Sequence, residues 1–319
     1  MKMRAAIIAA ALLMTACATQ APVAEVRLVA KAFDNLNTAS QPLLDELAIA
    51  ERNQGKSAAL ARAEANTNAA ASTAPAVPGA ERCPNILVLG GKMQDVPEVQ
   101  DKFCSEDSYY YSELADPPGT RAFRQALAAV GDYTHLLVIL AEGSNLDEAR
   151  AQLGTLTGNL GLALDAAGVA GAGPTLSALL QAFSPVLDLA AQGSYAKELK
   201  RLTVQESPKV EKLLGALRTQ AGEFFTTLTE AAMARFNLAL DKPNVEAAEA
   251  ARIEAYRIAV SNYVVLLDQY GALLGDLVKV YDQPRRAVTL ASLAERSAQL
   301  SVQADAWRRS LASLRAGLR

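Results

Sequence analysis

Apolar residues recur along this chain three and four positions apart, most regularly in its last third. After Ser207-Pro208, one seam runs through Val210, Leu214, Leu217, Ala221, Phe224, Leu228 and Ala231. After Asn244, a second runs through Tyr256, Ala259, Tyr263, Leu266, Tyr270, Leu273, Leu277 and Val280. A third follows Pro284, through Leu293, Ser297, Leu300, Ala304, Trp307, Leu311, Leu314 and Leu318. This spacing gathers the side chains on one face of an α-helix, and each seam is bounded by Pro, Asn or Asp, which start or stop helices. The connections "DKPN" and "DQPR" are short, so consecutive helices are predicted to run antiparallel as neighbours. Val260, Leu267, Leu274 and Val278 flank the second seam. That makes it wider than a two-stranded coil needs, so the middle helix has neighbours on more than one side. The pattern predicts an all-α fold: an elongated antiparallel helical bundle with coiled-coil-like seams, a rod roughly 50 Å long at about 1.5 Å per residue.

The same alternation opens the chain, at Val26, Val29, Phe33, Leu36, Leu43, Leu47 and Ala50, with Ser40 counted in the seam. An N-terminal helix over 22–53 is expected to pack on the later ones. Pro42 sits inside it, so either the helix kinks there or a second helix starts at Ser40 with the proline in its first turn. "GKSAALARAEAN" continues with helical propensity, and "TNAAASTAPAVPGAER" reads as a polar, alanine- and proline-rich linker. These divide the chain into a leader at 1–16, an anchor with N-terminal helices and linker at 17–74, a distinct excursion at 75–118 and the bundle proper at 119–319.

The excursion differs from its surroundings. "NILVLGG" is a short β-branched run ending in a Gly-Gly turn, and "DKFCSEDSYYYSELADPPG" is acidic, aromatic and turn-rich. Gly90-Gly91 lacks the spacing of a phosphate loop, and no Lys-Ser/Thr pair follows. "TRAFRQALAAVGDYTHLLVILAEG" then reads as a helix, with Gly131 a point of interruption, and carries His135 among leucines and valines. A lone histidine there reads as a packed or partly exposed neutral imidazole, because no nucleophile stands beside it.

The stretch that follows, from Leu153 to about residue 190, has no charged residue between Asp165 and Asp188. Gly154, Gly158 and Gly161 recur at helix-neighbour spacing, which allows helices to pack closely, and "GAGP" is a strong break. A buried helical hairpin in the core explains it best. The alternative resembles the membrane-inserting tongue of helical pore-forming toxins, an apolar hairpin hidden until triggered. That resemblance implies residues 153–190 as the inserting element, with Leu176, Leu179, Leu180 and Phe183 on it.

Composition sharpens this picture. Apolar residues make up 51% of the 319 residues, enough for a sizeable core, while aromatics are only 5%. A net charge of −3 gives no global electrostatic case for nucleic acid. The leader "MKMRAAIIAAALLMTACATQ" has a positive start at Lys2 and Arg4, an uncharged apolar run over residues 5–14, and small residues at Thr15-Ala16. That is the anatomy of an export signal, and the run is about half of the roughly 20 residues a spanning helix needs.

Cys17, directly after Met14-Thr15-Ala16, resembles the lipobox of bacterial lipoproteins. The resemblance covers the first twenty residues and implies diacylglycerol on the Cys17 sulfur, cleavage before Cys17 and acylation of the new N-terminus. Each buried methylene contributes about 0.8 kcal/mol and one chain alone holds marginally, so several chains anchor stably. Ala18 stands where an aspartate usually retains enterobacterial lipoproteins at the inner membrane, so the resemblance leans towards the outer membrane, facing the periplasm. With Cys17 lipidated, Cys83 and Cys104 remain in a compartment where disulfides persist. Bridged, they close a loop for which chain entropy gives roughly 3 kcal/mol. A metal site there lacks ligands, since His135 is the only histidine.

Charge is unevenly placed. Arg285, Arg286, Arg296, Arg308, Arg309, Arg315 and Arg319 outweigh Glu295 and Asp305 at the C-terminal end, whereas the excursion is acidic. Arg285, Arg286, Arg308, Arg309 and Arg315 are therefore candidates for contact with lipid headgroups or an acidic partner, against the plainer reading of a solvated helix face. The acidic excursion is a candidate to dock on that helix, and Tyr109, Tyr110 and Tyr111 read either as an exposed contact patch or as side chains packed under the excursion. No HExxH pair, GxSxG elbow, Walker loop or zinc-spaced cysteine quartet occurs. The expectation is a non-enzymatic scaffold without cofactor or metal. Its partners would be the bilayer, through the Cys17 acyl chains, and an unidentified envelope protein, with oligomerisation open and nucleic acid excluded.

Overall fold

A computed structural model describes residues 23–70, 88–89, 99–100, 107–143, 146–166, 195–238, 243–282 and 288–318. Among them the chain forms α1 (Val23–Ala70), β1 (Val88–Leu89), β2 (Val99–Gln100), α2 (Ser108–Tyr111), α3 (Pro118–Glu142) and α4 (Leu146–Ala166). There follow α5 (Tyr195–Arg201), a π-helical turn (Leu202–Glu206), α6 (Ser207–Thr219), α7 (Ala221–Leu238), α8 (Pro243–Asp282) and α9 (Val288–Leu318). The fold is an all-α helical bundle. Its one sheet among the described residues is a two-residue antiparallel pair, Val88 opposite Gln100 and Leu89 opposite Val99.

The seams become the core. Val26, Val29, Phe33, Leu36, Leu43 and Leu47 of α1 are all buried, as is every residue of the α8 seam from Tyr256 to Val280. With 40 residues in α8 and 48 in α1, the rods are about 60 and 70 Å long, longer than the sequence estimate. α1 lies at the centre and packs against α3, α7, α8 and α9. Its ring at Phe33 stands 4.9 Å from Tyr270 of α8, and Asn35 donates to Ser301 of α9. Phe123, Phe224, Tyr263 and Trp307 carry an aromatic chain from α3 through α7 and α8 to α9.

Pro42 neither ends α1 nor starts a new helix; α1 continues through it. A proline removes one backbone donor from the turn before it. Around that gap, Ser40 Oγ donates to the Leu36 carbonyl at 2.8 Å and Gln41 Nε2 to the Asn37 carbonyl at 3.1 Å. Leu43, Leu44 and Leu47 beyond it are buried, so packing outweighs the lost bond. Gly131 does not interrupt α3 either. A Cβ there would stand 3.1 Å from the Phe33 ring, so the glycine lets α1 and α3 approach. α3 ends at Gly143, whose φ of 64° is the left-handed cap that glycine adopts without strain.

Two seams differ from the expected lines. The run from Val210 to Ala231 is not one helix: it is divided at Gln220 between α6 and α7. Past that break the buried alanine is Ala232 rather than Ala231, which is exposed. The glycines of α4 also act otherwise than their spacing implies. Leu153, Leu156, Leu160 and Ala163 face inward, mainly onto α3. A Cβ at Gly154, Gly158 or Gly161 would meet nothing within 4 Å among the described residues. The rest of the uncharged stretch, with Leu176, Leu179, Leu180 and Phe183, lies outside the described residues.

Candidate functional site

Three faces of the bundle carry chemistry beyond packing. The first is the seam between α1 and α3, which is stitched along its length by charge. Arg27 pairs with Glu142 at 2.7 Å, Asp34 with His135 at 3.1 Å, and Asp45 with Arg124 at 2.6 Å. At the far end Glu51 accepts from the Gly119 and Thr120 backbone amides and the Thr120 hydroxyl, each at 2.8 Å. It thereby caps the N-terminus of α3, where free amides and the helix dipole favour a carboxylate. Arg315 of α9 reaches the same acidic row, 2.7 Å from Glu46 and 3.4 Å from Asp45. The Tyr256 hydroxyl of α8 donates to Glu46, and burial with that carboxylate raises the phenol to about 12.

His135 is half-exposed in this seam. Its hydrogen bond to Asp34 raises the imidazole above its ordinary value, outweighing the opposite effect of partial burial. One turn earlier, Asp132 accepts from Gln152 and Asn159 of α4 at 3.0 and 2.6 Å. Burial nonetheless pushes its carboxyl upward. The group ties α1, α3 and α4 together through one ionisable chain.

The second face is the buried π-helical turn between α5 and α6. A π turn inserts one extra residue and closes i→i+5 bonds; here the Ser207 backbone amide donates to the Leu202 carbonyl. Tyr133 of α3 adds a second donor: its hydroxyl donates to the same Leu202 carbonyl at 3.1 Å and lies 2.7 Å from Ser207 Oγ. Around it Arg201 pairs with Glu198 and Glu206, and Lys209 with Glu206. Thr203 Oγ1 is buried without a partner among the described residues. Spacing in the sequence gave no sign of this cluster. Ser207-Pro208 signalled a helix start, and that start is where the π turn ends.

The third face consists of three surface grooves. One of about 270 Å³ lies beside Tyr110, Phe123 and Phe224, with Glu51 and Glu223 on its rim. A second, of about 280 Å³, runs between α6 and α8 among Glu211, Arg218, Asp268, Asp276, Lys279 and Arg296. Here Arg218 pairs with Asp268, while buried Asp276 takes Arg296 of α9 at 2.5 Å and Lys279 at 2.9 Å. The third, of about 380 Å³, lies between α8 and α9, and no residue lining it carries a charge. Among the described residues no group of three or more His, Cys, Asp or Glu is placed to hold a metal ion.

The candidates named from sequence fare differently. Cys17, Cys83, Cys104, Arg285 and Arg286 lie outside the described residues. Arg308 and Arg309 stand on the exposed face of α9, Arg308 3.3 Å from Asp305. Arg315 is instead half-buried in its pairs with α1, and Arg296 is tied to Asp276. The described part of the excursion docks on α1 and α3 rather than on α9: Asp116 pairs with Arg124 at 2.9 Å, and Arg52 donates to the Ala115 carbonyl. The three tyrosines part company. Tyr110 covers Gly55 so closely that a Cβ there would overlap its ring. Tyr109 and Tyr111 remain exposed beneath the cations of Arg121 and Lys56.

No family model matches this chain, and no curated protein or solved structure matches it either.

Proposed function

We propose that the chain is a lipid-anchored, periplasm-facing component of a bacterial cell envelope, tethered through Cys17 and acting as a non-enzymatic scaffold. The observation that carries this reading is the join between leader and bundle. Only residues 18–22 separate Cys17 from the start of α1, a tether of at most about 18 Å at full extension. That is much shorter than the rod it holds. α1 is also the helix in contact with α3, α7, α8 and α9, so an anchor there holds the whole bundle. The end bearing Arg27 and Glu142 would face the membrane, and the end bearing Glu51 and Thr120 would project from it. No described helix is long and apolar enough to cross a bilayer, so membrane attachment in this reading falls to the acyl chains.

Crosslinking of intact envelopes followed by pull-down tests the scaffold role. The expected result is a defined set of envelope proteins recovered with the wild-type chain and lost with Cys17→Ser. Recovery of the native chain as a soluble cytosolic protein would overturn it.

A second reading, a membrane-active bundle with 153–190 as its inserting hairpin, draws on one observation. The outer face of α4 at Gly154, Gly158 and half-exposed Leu162 is not covered by any described residue. Under this reading the purified chain releases dye from liposomes, and Leu179→Lys and Phe183→Lys abolish release without unfolding it. If those variants unfold the bundle, the stretch is core.

A further inference from the structure

We propose that the groove between α6 and α8 binds a small zwitterion, holding its ammonium at Glu211 and its carboxylate or phosphate at Lys279 and Arg296. The groove is lined by three carboxylates, Glu211, Asp268 and Asp276, and by three cations, Arg218, Lys279 and Arg296. These charges balance in number but not in place. Arg218 and Asp268 pair with each other at one end. At the other end Asp276, only 5% exposed, takes both Arg296 at 2.5 Å and Lys279 at 2.9 Å. Glu211 takes neither, and it has no hydrogen bond or ion pair among the described residues. That end therefore carries an excess cation beside Asp276 and an unmatched carboxylate on α6.

Glu211 is half-buried, and burial raises its carboxyl above the ordinary value, an effect that Lys279 offsets only in part. A partly desolvated carboxylate without a donor is unfavourable. The cations near it keep spare capacity. Lys279 uses one of its three N–H donors on Asp276 and Arg296 one of its five, and both side chains are more than half exposed. α8 keeps the space beside them clear. Gly275 lets Glu211 approach the helix, since a Cβ there would stand 3.2 Å from the Glu211 Oε1. One turn earlier, a Cβ at Gly271 would meet nothing within 4 Å, so no side chain of that residue crosses the groove.

The placement of charge selects the chemistry of the ligand. A simple amine would satisfy Glu211 but be repelled by the excess cation, and a simple anion would satisfy Lys279 and Arg296 but be repelled by Glu211. A molecule bearing both charges a few bonds apart answers each without changing the net charge of the groove. Free α-amino acids and ethanolamine phosphate, the latter also as a lipid head group, share that chemistry. The site stands on the groove alone and does not depend on the Cys17 tether.

Titration calorimetry of the full chain in non-ionic detergent, with glycine and with O-phosphoethanolamine as probes, reads the binding directly. The expected result is saturable binding of at least one probe with a Kd of about 1 mM or tighter, and binding of ethylamine and of inorganic phosphate at least about tenfold weaker. Tighter binding of glycine assigns a free amino acid as the ligand, and tighter binding of O-phosphoethanolamine assigns the ethanolamine phosphate group. Glu211→Gln and Lys279→Met should each weaken the complex at least about tenfold. Gly271→Leu, which fills the open middle of the groove, should abolish it, while Glu223→Gln, in a different groove, should leave it unchanged. Circular dichroism melts show whether each variant folds, and Lys279→Met, at an exposed side chain, carries the test if either of the others disturbs the helix pair. No saturable heat from either probe up to about 10 mM, tenfold above that Kd, overturns the proposal. So does binding indifferent to both Glu211→Gln and Lys279→Met, or binding of ethylamine or phosphate as tight as that of the zwitterions, which would leave a simple ion site. None of these outcomes bears on whether Cys17 is acylated, which mass spectrometry decides separately.

Discussion

The α1–α3 seam and the α8–α9 seam are both antiparallel helix pairs, yet they are finished in opposite ways. α1 and α3 are closed by charge along their length, from Arg27–Glu142 through Asp34–His135 and Asp45–Arg124 to the Glu51 cap. α8 and α9 are joined by Asp276–Arg296 and by Tyr263 against Trp307, and the groove between them is lined by uncharged residues. Surface ion pairs stabilise little individually, but they fix register and discourage non-specific partners. A seam closed that way is finished within the chain. The α8–α9 groove, with Val265 half-exposed on its wall, carries no such charged closure.

The comparison breaks most severely at the residue both seams share. Phe33 lies between Gly131 of α3 and Tyr270 of α8. Phe33→Ala is expected to cost about 3–5 kcal/mol, seen as a lowered urea midpoint. A loss below about 1 kcal/mol, the range of ordinary surface substitutions, would show that the two seams are not coupled there.

Glu51→Ala should be next, at about 1–3 kcal/mol for three charge-assisted bonds to the start of α3. Hydrogen exchange at Gly119 and Thr120 should rise with it while exchange in α8 stays unchanged. Arg315→Met should cost about 1 kcal/mol or less, and the loss should shrink in high salt if the pairs with Glu46 and Asp45 are its cause.

The smallest effect expected is that of pH on the His135–Asp34 pair. The folded imidazole is raised above its ordinary value. Its contribution is therefore complete below the unfolded value near 6.5 and is lost as pH rises through the folded value. Wild type and His135→Gln should differ at about pH 5.5 and converge at alkaline pH, by a few tenths of a kcal/mol at so exposed a site. Divergence that grows at alkaline pH would reverse the assignment.

Much of the fold was legible in the seams. Three-four spacing marked which side of α1, α8 and α9 is buried, down to Ser40 and Ser297, both buried among leucines. The sequence pattern failed where the decisive interaction lies across the bundle. The π turn is tied to α3 by Tyr133, which lies 69 and 74 positions before its partners Leu202 and Ser207, and nothing local marks that contact. The glycines of α4 have helix-packing spacing, but spacing does not say which face is covered. The arginine excess on α9 was legible as composition, but Arg296 and Arg315 turn out to serve Asp276 and the α1 carboxylates. Only contact geometry separates those from Arg308 and Arg309.

The central claim is the anchor, and its most direct measurement is intact-mass spectrometry of the chain extracted from native envelopes. The account predicts a chain beginning at Cys17 and heavier than its amino acids by a diacylglyceryl group and a further acyl chain, with Cys17→Ser retaining its leader and gaining no lipid. A native product that starts at Met1 and carries no acyl mass would contradict it.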